Sequence, residues 1–537
     1  MIYLSARLAA AGGAGGNTFG LCAAYRKLGI LWLVVTVGCH GPGRPEDHDI
    51  AVDPDRSLSA RRSAVARLSV RAADDPAAGA ALERVAWGIR QPVGLRIEAA
   101  EVLLREARES FWLRARGELA GLGPGAWRDW LVRRAMSEGR NDLADALAQS
   151  WWREVGPLVE AERLRQHPTG QALAGLSGAS SVEAALMDRL QESVDPGGFA
   201  ASWSLLSRLW DGPSMKRLAR DGFAECKVGQ QDHDPLSADD PRQRVTRRLR
   251  TSLAKAADLL GVLPTTPEGL RRLAGLAGDF ERWERCVAAH EGLPPAWVES
   301  LALRHLGLLQ REASGGQGAV SDEAVEAGPA QLARRLASSQ SYRRDPDYRR
   351  HLPDATAADR LTAADGWLTA EVLAALGDPA VVGAWFDQLD RDVADPRAEH
   401  GGLLTWDAEG RRSAVAFASA GGVGGAGGAV GGGGQGGGRH DRGYVSSLAM
   451  MDAAAGGLAH YHYHATRYES GAYAGPSRGD LDFAAANEVA SLILTPLDRG
   501  RLNVDLVLPG GRWLDLGVIR RGRMTFSHGR HSPDQTD

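Results

Sequence analysis

Cysteine is scarce. Four residues in a chain of 537 exclude a disulfide scaffold and any cysteine-rich zinc module. Neither sign of charge dominates. Lys and Arg number 63 against 67 Asp and Glu, a formal net charge of -4. That excludes a strongly basic nucleic-acid binder, and no nucleic-acid partner is expected. No apolar run approaches the roughly 20 residues that a membrane-spanning helix needs. β-Branched residues are sparse from 57 to 390, which argues against strands there. The tract 420–439 is almost all glycine but lacks the Gly-Lys-Ser/Thr ending of a phosphate loop. It reads as a flexible surface insertion. What remains is enough for two to four domains, and 44% hydrophobic residues can bury a core.

The first informative segment lies near the amino terminus. Arg26 and Lys27 precede an apolar stretch, Leu28 to Val37, followed by Gly38 and Cys39. A basic region, a short apolar region and a small residue read as a secretory signal. Thr36-Val37-Gly38-Cys39 resembles a bacterial lipoprotein lipobox, with Thr36 where that family usually has Leu. The resemblance implies a signal at 1–39 and a lipidated Cys39 at the start of the mature protein. The protein would then be exported and held at the membrane of the cell envelope. Residues 40–56, rich in Gly, Pro and Asp, would be its tether. The rival reading is a buried strand with a chance cysteine, in a cytoplasmic protein.

Residues 57–390 read as helical, with Ala, Leu, Arg and Glu dominant and apolar residues recurring at three and four. Arg62 to Leu68 and Arg96 to Val102 share an Arg-led apolar stripe 34 residues apart. Asp75-Pro76 between them has the form of a helix start. The segment 57–155 resembles a pair of HEAT-type helical repeats. Further helices are expected at Ser181–Gln191, Pro267–His290, Pro294–Gln310 and Leu361–Leu376 within the helical region 156–390, with a loop at 313–329. Trp151, Trp152, Trp203 and Trp210 read as core. Five Arg between Arg242 and Arg250 read as a solvated helix face. Cys226 and Cys286 are either a disulfide or two separate buried thiols.

The composition changes after about residue 390. Strand-like runs lie at Gly402–Thr405, Ser413–Ala418, Ser491–Pro496, Leu502–Leu508 and Trp513–Ile519. Asp498-Arg499-Gly500 and Pro509-Gly510-Gly511 read as hairpin turns between the last three. Ala459-His460-Tyr461-His462-Tyr463-His464 is the chemical signal. On a strand its three histidines share one face and its tyrosines the other. Imidazoles two residues apart on a strand can reach one metal ion. Downstream, Ser477-Arg478-Gly479-Asp480 enters a helix expected at Leu481–Ala490, and Asp480 is either a third ligand or merely the helix cap.

Glu399-His400-Gly401-Gly402-Leu403-Leu404, His462-Tyr463-His464 and Ser477-Arg478-Gly479-Asp480 together resemble the motif set of the JAMM (MPN-plus) zinc metalloproteases. That set is a Glu before a Gly-Leu strand, His-x-His-Pro and Ser-x-x-Asp, in this order. The resemblance covers about 391–520. It implies an α+β domain of JAMM and cytidine-deaminase-like type, a curved mixed sheet flanked by helices. It implies Zn²⁺ held by His462, His464 and Asp480, Glu399 as acid/base, and Ser477 as the serine that steadies a tetrahedral intermediate. Ala465 stands where the family has Pro, and the stretch from His464 to Ser477 is longer than usual. His460 offers an alternative ligand. Residues 521–537 are expected to be a disordered tail.

The residue types suit the chemistry. Two imidazoles and one carboxylate leave a tetrahedral zinc one open position for water. Zinc lowers the pKa of such water to about 7, where a nearby carboxylate can take its proton. The expected activity is hydrolysis of an amide or isopeptide bond, with the helical region recruiting a protein or peptide partner. The alternative is a non-catalytic lipoprotein scaffold, its helical array binding a partner beside an inactive JAMM-like domain.

Overall fold

A computed structural model describes residues 46–223, 240–313, 361–394, 400–407, 410–417, 446–465, 467–471 and 474–522. Cys39, Cys226, Glu399, the glycine tract 420–439 and all of 314–360 lie outside the described residues, as does the tail beyond 522. The chain divides into two units, Met1–Leu113 and Arg114–Asp537.

Described residues of the first unit form helices Asp47–Val52, Leu58–Arg71, Pro76–Trp87 and Val93–Glu106. The Asp75 side chain accepts the Ala77 N–H, and Pro76 occupies the first turn. The two Arg-led stripes fall on Leu58–Arg71 and Val93–Glu106. The first buries Ala64, Val65 and Leu68, and the second Leu95, Ala99 and Leu103.

The second unit begins with a long helical region and ends in a mixed sheet. Ser181, Asp195, Asp211, Asp240, Thr266 and Asp279 each accept a backbone N–H at the start of a helix. Trp151 and Trp203 are buried, and Trp210 is half-buried. The Trp203 indole donates to the Pro264 carbonyl at 2.8 Å. The arginines of helix Pro241–Leu259 face solvent except Arg250. Arg250 donates to the carbonyls of Leu190, Gln191 and Ser193, at and just beyond the end of helix Val182–Glu192.

Two expected long helices are broken. Residues 267–290 divide into α1 (Pro267–Ala277) and Phe280–Glu291, because Asp279 caps a new helix. Residues 294–310 divide into Pro295–Ser300, a 3-10 turn at Leu303–His305, and Leu306–Ala313. Cys286 is a buried free thiol, its pKa pushed up to about 12 by burial.

α2 (Ala363–Leu376) and α3 (Pro379–Ala394) follow. Among the described residues no single helix is long and apolar enough to cross a membrane; α2 and α3 pass that test only together, and they bend by 75° between them. α2 carries two buried carboxylates. Asp365 accepts from Arg304 Nε at 2.7 Å and from Arg512 at 2.8 Å. Glu371 pairs with Arg311, and with Arg412 at 2.8 Å. Each acid thus joins one arginine of the helical region to one of the sheet.

The sheet has six strands, β1 (Gly401–Trp406), β2 (Arg412–Phe417), β3 (Ala459–Tyr463), β4 (Ser491–Asp498), β5 (Arg501–Leu508) and β6 (Arg512–Arg520), in the order β2-β1-β3-β4-β5-β6. All neighbours are antiparallel except β3 and β4. A parallel pair needs a crossover, and α4 (Arg478–Asn487) supplies its helix. β3 is buried along its whole length, with a helix against each face. On one face Tyr461 donates to Gln388 Oε1 and Tyr463 to the Trp385 carbonyl, both at 2.7 Å and both on α3. Burying either hydroxyl unpaired would cost about 1–3 kcal/mol. On the other face Leu481 and Ala484 of α4 pack on Ile493, Val507 and Trp513. Gly402, opposite Tyr461 in the register, has no room for a side chain: a Cβ there would lie 2.6 Å from the Tyr461 hydroxyl and 2.0 Å from the Val415 carbonyl.

Candidate metal centre

The alternation of His and Tyr works as the pleat requires. With both tyrosines on the α3 face, the histidines turn to the α4 face, where the His460 ring lies 4.7 Å from Phe483. Pairing sets Gly401 opposite His462 and Leu403 opposite His460. His464 follows the last strand residue, its N–H donating to the Leu494 carbonyl of β4.

α4 starts three residues earlier than expected, because Ser477 and not Asp480 is the cap. Ser477 Oγ accepts the Asp480 N–H at 3.3 Å, and Asp480 Oδ2 accepts the Ser477 N–H at 2.5 Å. This reciprocal capping box leaves the carboxylate two further directions. Oδ1 lies 3.0 Å from His462 Nε2, and Oδ2 lies 3.2 Å from His464 Nε2. The two Nε2 atoms are 3.3 Å apart. The rival readings of Asp480 therefore coexist: it belongs to the cap and it faces the histidines.

The three distances test the fit to a metal. Ligands held about 2.0–2.1 Å from zinc at tetrahedral angles stand about 3.3 Å from one another. The donors here are spaced at 3.0, 3.2 and 3.3 Å. Among the described residues, His462, His464 and Asp480 form the group of His, Cys, Asp and Glu able to hold an ion. His462 and Asp480 are buried and His464 is half-buried, so the trio meets solvent chiefly through His464. Burial penalises the charged form of Asp480, but the imidazoles of His462 and His464 outweigh it and hold the carboxyl well below the usual carboxylate range.

His460 stands apart from that trio. Its Nδ1 is 2.9 Å from Ser491 Oγ, and its ring centre is 5.4 Å from that of His462. Burial, then the neighbouring His462, hold it well below the ordinary imidazole value, against the pull of Asp480. Glu399 lies outside the described residues. It precedes by two positions Gly401, the strand partner of His462.

One buried contact left no mark in the sequence. Glu488, just past α4, sits in the left-handed region at φ 52° and is buried. Glycine usually fills that place, so a Glu gives no local signal. Its carboxylate reaches Thr265, 223 positions earlier. Burial raises its pKa, and hydrogen bonds from Thr265 and Thr266 pull the other way.

No protein-family model, curated protein or solved structure matches the chain.

Proposed function

We propose that the carboxy-terminal sheet domain is a zinc-dependent hydrolase of amide or isopeptide bonds. The observation that carries this reading is the spacing of three donors, His462, His464 and Asp480, at tetrahedral-edge distances on a half-open face. Their order in the chain and their placement on a strand, just past its end and at the next helix start agree with the JAMM resemblance. The capping role of Ser477 keeps its hydroxyl on the Asp480 N–H.

His462, His464 and Asp480 would hold the ion, which when bound supplies Lewis-acid activation of water and of a carbonyl. The protein's own groups do the rest. The Ser477 N–H fixes the orientation of the Asp480 carboxylate, the kind of outer hydrogen bond that tunes a metal site. Ser477 Oγ accepts one hydrogen bond and keeps its own proton to donate to a developing oxyanion. Glu399 takes the proton of the attacking water and hands it to the leaving amine. Substrate enters at the His464 side.

The amino-terminal pattern supports export and lipid anchoring at Cys39, and the helical region supports recruitment of a protein or peptide partner. Radiolabelled lipid retained after Cys39→Ser would contradict anchoring there.

The test of the reaction is hydrolysis of quenched peptide and lysine-isopeptide substrates by the full zinc-loaded chain. Glu399→Gln is expected to keep its zinc and lose at least about 100-fold in rate. Unchanged turnover in Glu399→Gln would contradict the mechanism. Failure of every amide and isopeptide substrate would favour the scaffold reading.

A further inference from the structure

The metal ligand Asp480 lies in the first turn of α4, and the other end of α4 is gripped by the helical region. α4 is ten residues long, a rod of about 15 Å. At its far end two helix termini meet head to tail. Glu488 Oε1 accepts the Thr265 N–H at 2.5 Å and the Thr265 hydroxyl at 3.2 Å, just before α1. In return Arg272 of α1 donates to the Asn487 carbonyl at 2.5 Å and to the Glu488 carbonyl at 3.3 Å. The carboxylate thus meets the amide end of α1, and the guanidinium meets the carbonyl end of α4.

Two details show that this contact is built. Glu488 holds a left-handed backbone in which a side chain is disfavoured, and it is buried. Opposite it, α1 carries Gly269, where a Cβ would lie 2.6 Å from Glu488 Oε1. Gly269 lies in the first turn of α1, its N–H on the Thr266 cap, and its absent side chain is the seat of the carboxylate.

We propose that Glu488 is a positioning residue for the metal centre: docked between Thr265 and Gly269, it fixes α4 along its axis and so sets where Asp480 stands relative to His462 and His464. This deepens the zinc reading above and rests on it. The helical region then does more than recruit a partner, because it completes the geometry of the site.

The test uses the full chain and measures zinc affinity together with the visible spectrum of the cobalt-substituted form. Glu488→Gly relieves the backbone and deletes the carboxylate. Gly269→Ala blocks the seat from the other side without touching α4. Both are expected to weaken zinc by about 10-fold or more and to alter the cobalt bands. Glu488→Gln, which keeps an acceptor for Thr265, is expected to stay within about 3-fold of wild type. Wild-type affinity and spectrum in both Glu488→Gly and Gly269→Ala would overturn the proposal, as would Glu488→Gln binding no better than Glu488→Gly. A wild-type chain that takes up no zinc would sink the metal reading instead. The lock is then judged by amide exchange at Ser477 and Asp480. Faster exchange in Glu488→Gly and Gly269→Ala supports the lock, and unchanged exchange overturns it.

Discussion

Ser477 and Asp480 hold each other at the start of α4: each side chain accepts the other's backbone N–H, at 3.3 and 2.5 Å. One pair of residues therefore does two jobs. It pairs two amides of a helix start, and it aims a carboxylate at two imidazoles.

The first prediction concerns that pair. Ser477→Ala removes a cap and lowers stability by about 1 kcal/mol. It also removes the proposed oxyanion donor, so turnover falls by about 100-fold or more. Urea unfolding and peptide hydrolysis measure the two separately. A stability loss with unchanged turnover would reduce Ser477 to a cap alone.

Gly402 is the second. A Cβ there meets the Tyr461 hydroxyl and the Val415 carbonyl, neither of which has slack in a paired strand. Gly402→Ala is expected to lower unfolding stability by about 1–3 kcal/mol. Wild-type stability would show that β2 and the Tyr461 side chain can give way to it.

Asp365 is the third. Its buried carboxylate meets Arg304, His305 and Arg512. Asp365→Ala strands those partners and is expected to lose about 3–5 kcal/mol. Denaturant unfolding followed by tryptophan fluorescence reads this out. A loss under about 1 kcal/mol would mean that the arginines find other partners.

His305 gives a dependence on pH. Its Nδ1 accepts the Ala302 N–H, so its Nε2 carries the proton shared with Asp365. Burial, then Arg304, push its pKa down from 6.5 to about 4. The folded state therefore resists protonation more than the unfolded state does. Its contribution is whole above the unfolded value of 6.5 and is lost as pH falls through the window down to about 4. Thermal midpoints of wild type and His305→Gln measured from pH 7 to pH 4 isolate that loss. The variant is expected to show the shallower decline; parallel curves would contradict the assignment.

Much of the sheet was legible in the sequence because strands and tight turns are local events. Asp498-Arg499-Gly500 and Pro509-Gly510-Gly511 join antiparallel strands as expected, within two residues at each boundary. The alternation of His460, Tyr461, His462 and Tyr463 gave the two faces of β3. α4 starts three residues before the expected Leu481, since Ser-x-x-Asp places the cap on Ser477 and makes Asp480 its reciprocal partner. Gly278-Asp279 breaks the helix expected over 267–290 inside a continuous apolar pattern, because Asp279 caps a new start. Glu488 was illegible for a different reason: its meaning lies in Thr265 and Gly269, and no local pattern records a contact across 223 positions.

The most direct measurement is zinc content of the purified full chain, by elemental analysis, for wild type, His462→Ala and Asp480→Asn. The account predicts about one zinc per wild-type chain, as a three-ligand site requires, and a large loss in both variants. Equal zinc in all three, or none in the wild type, would contradict it.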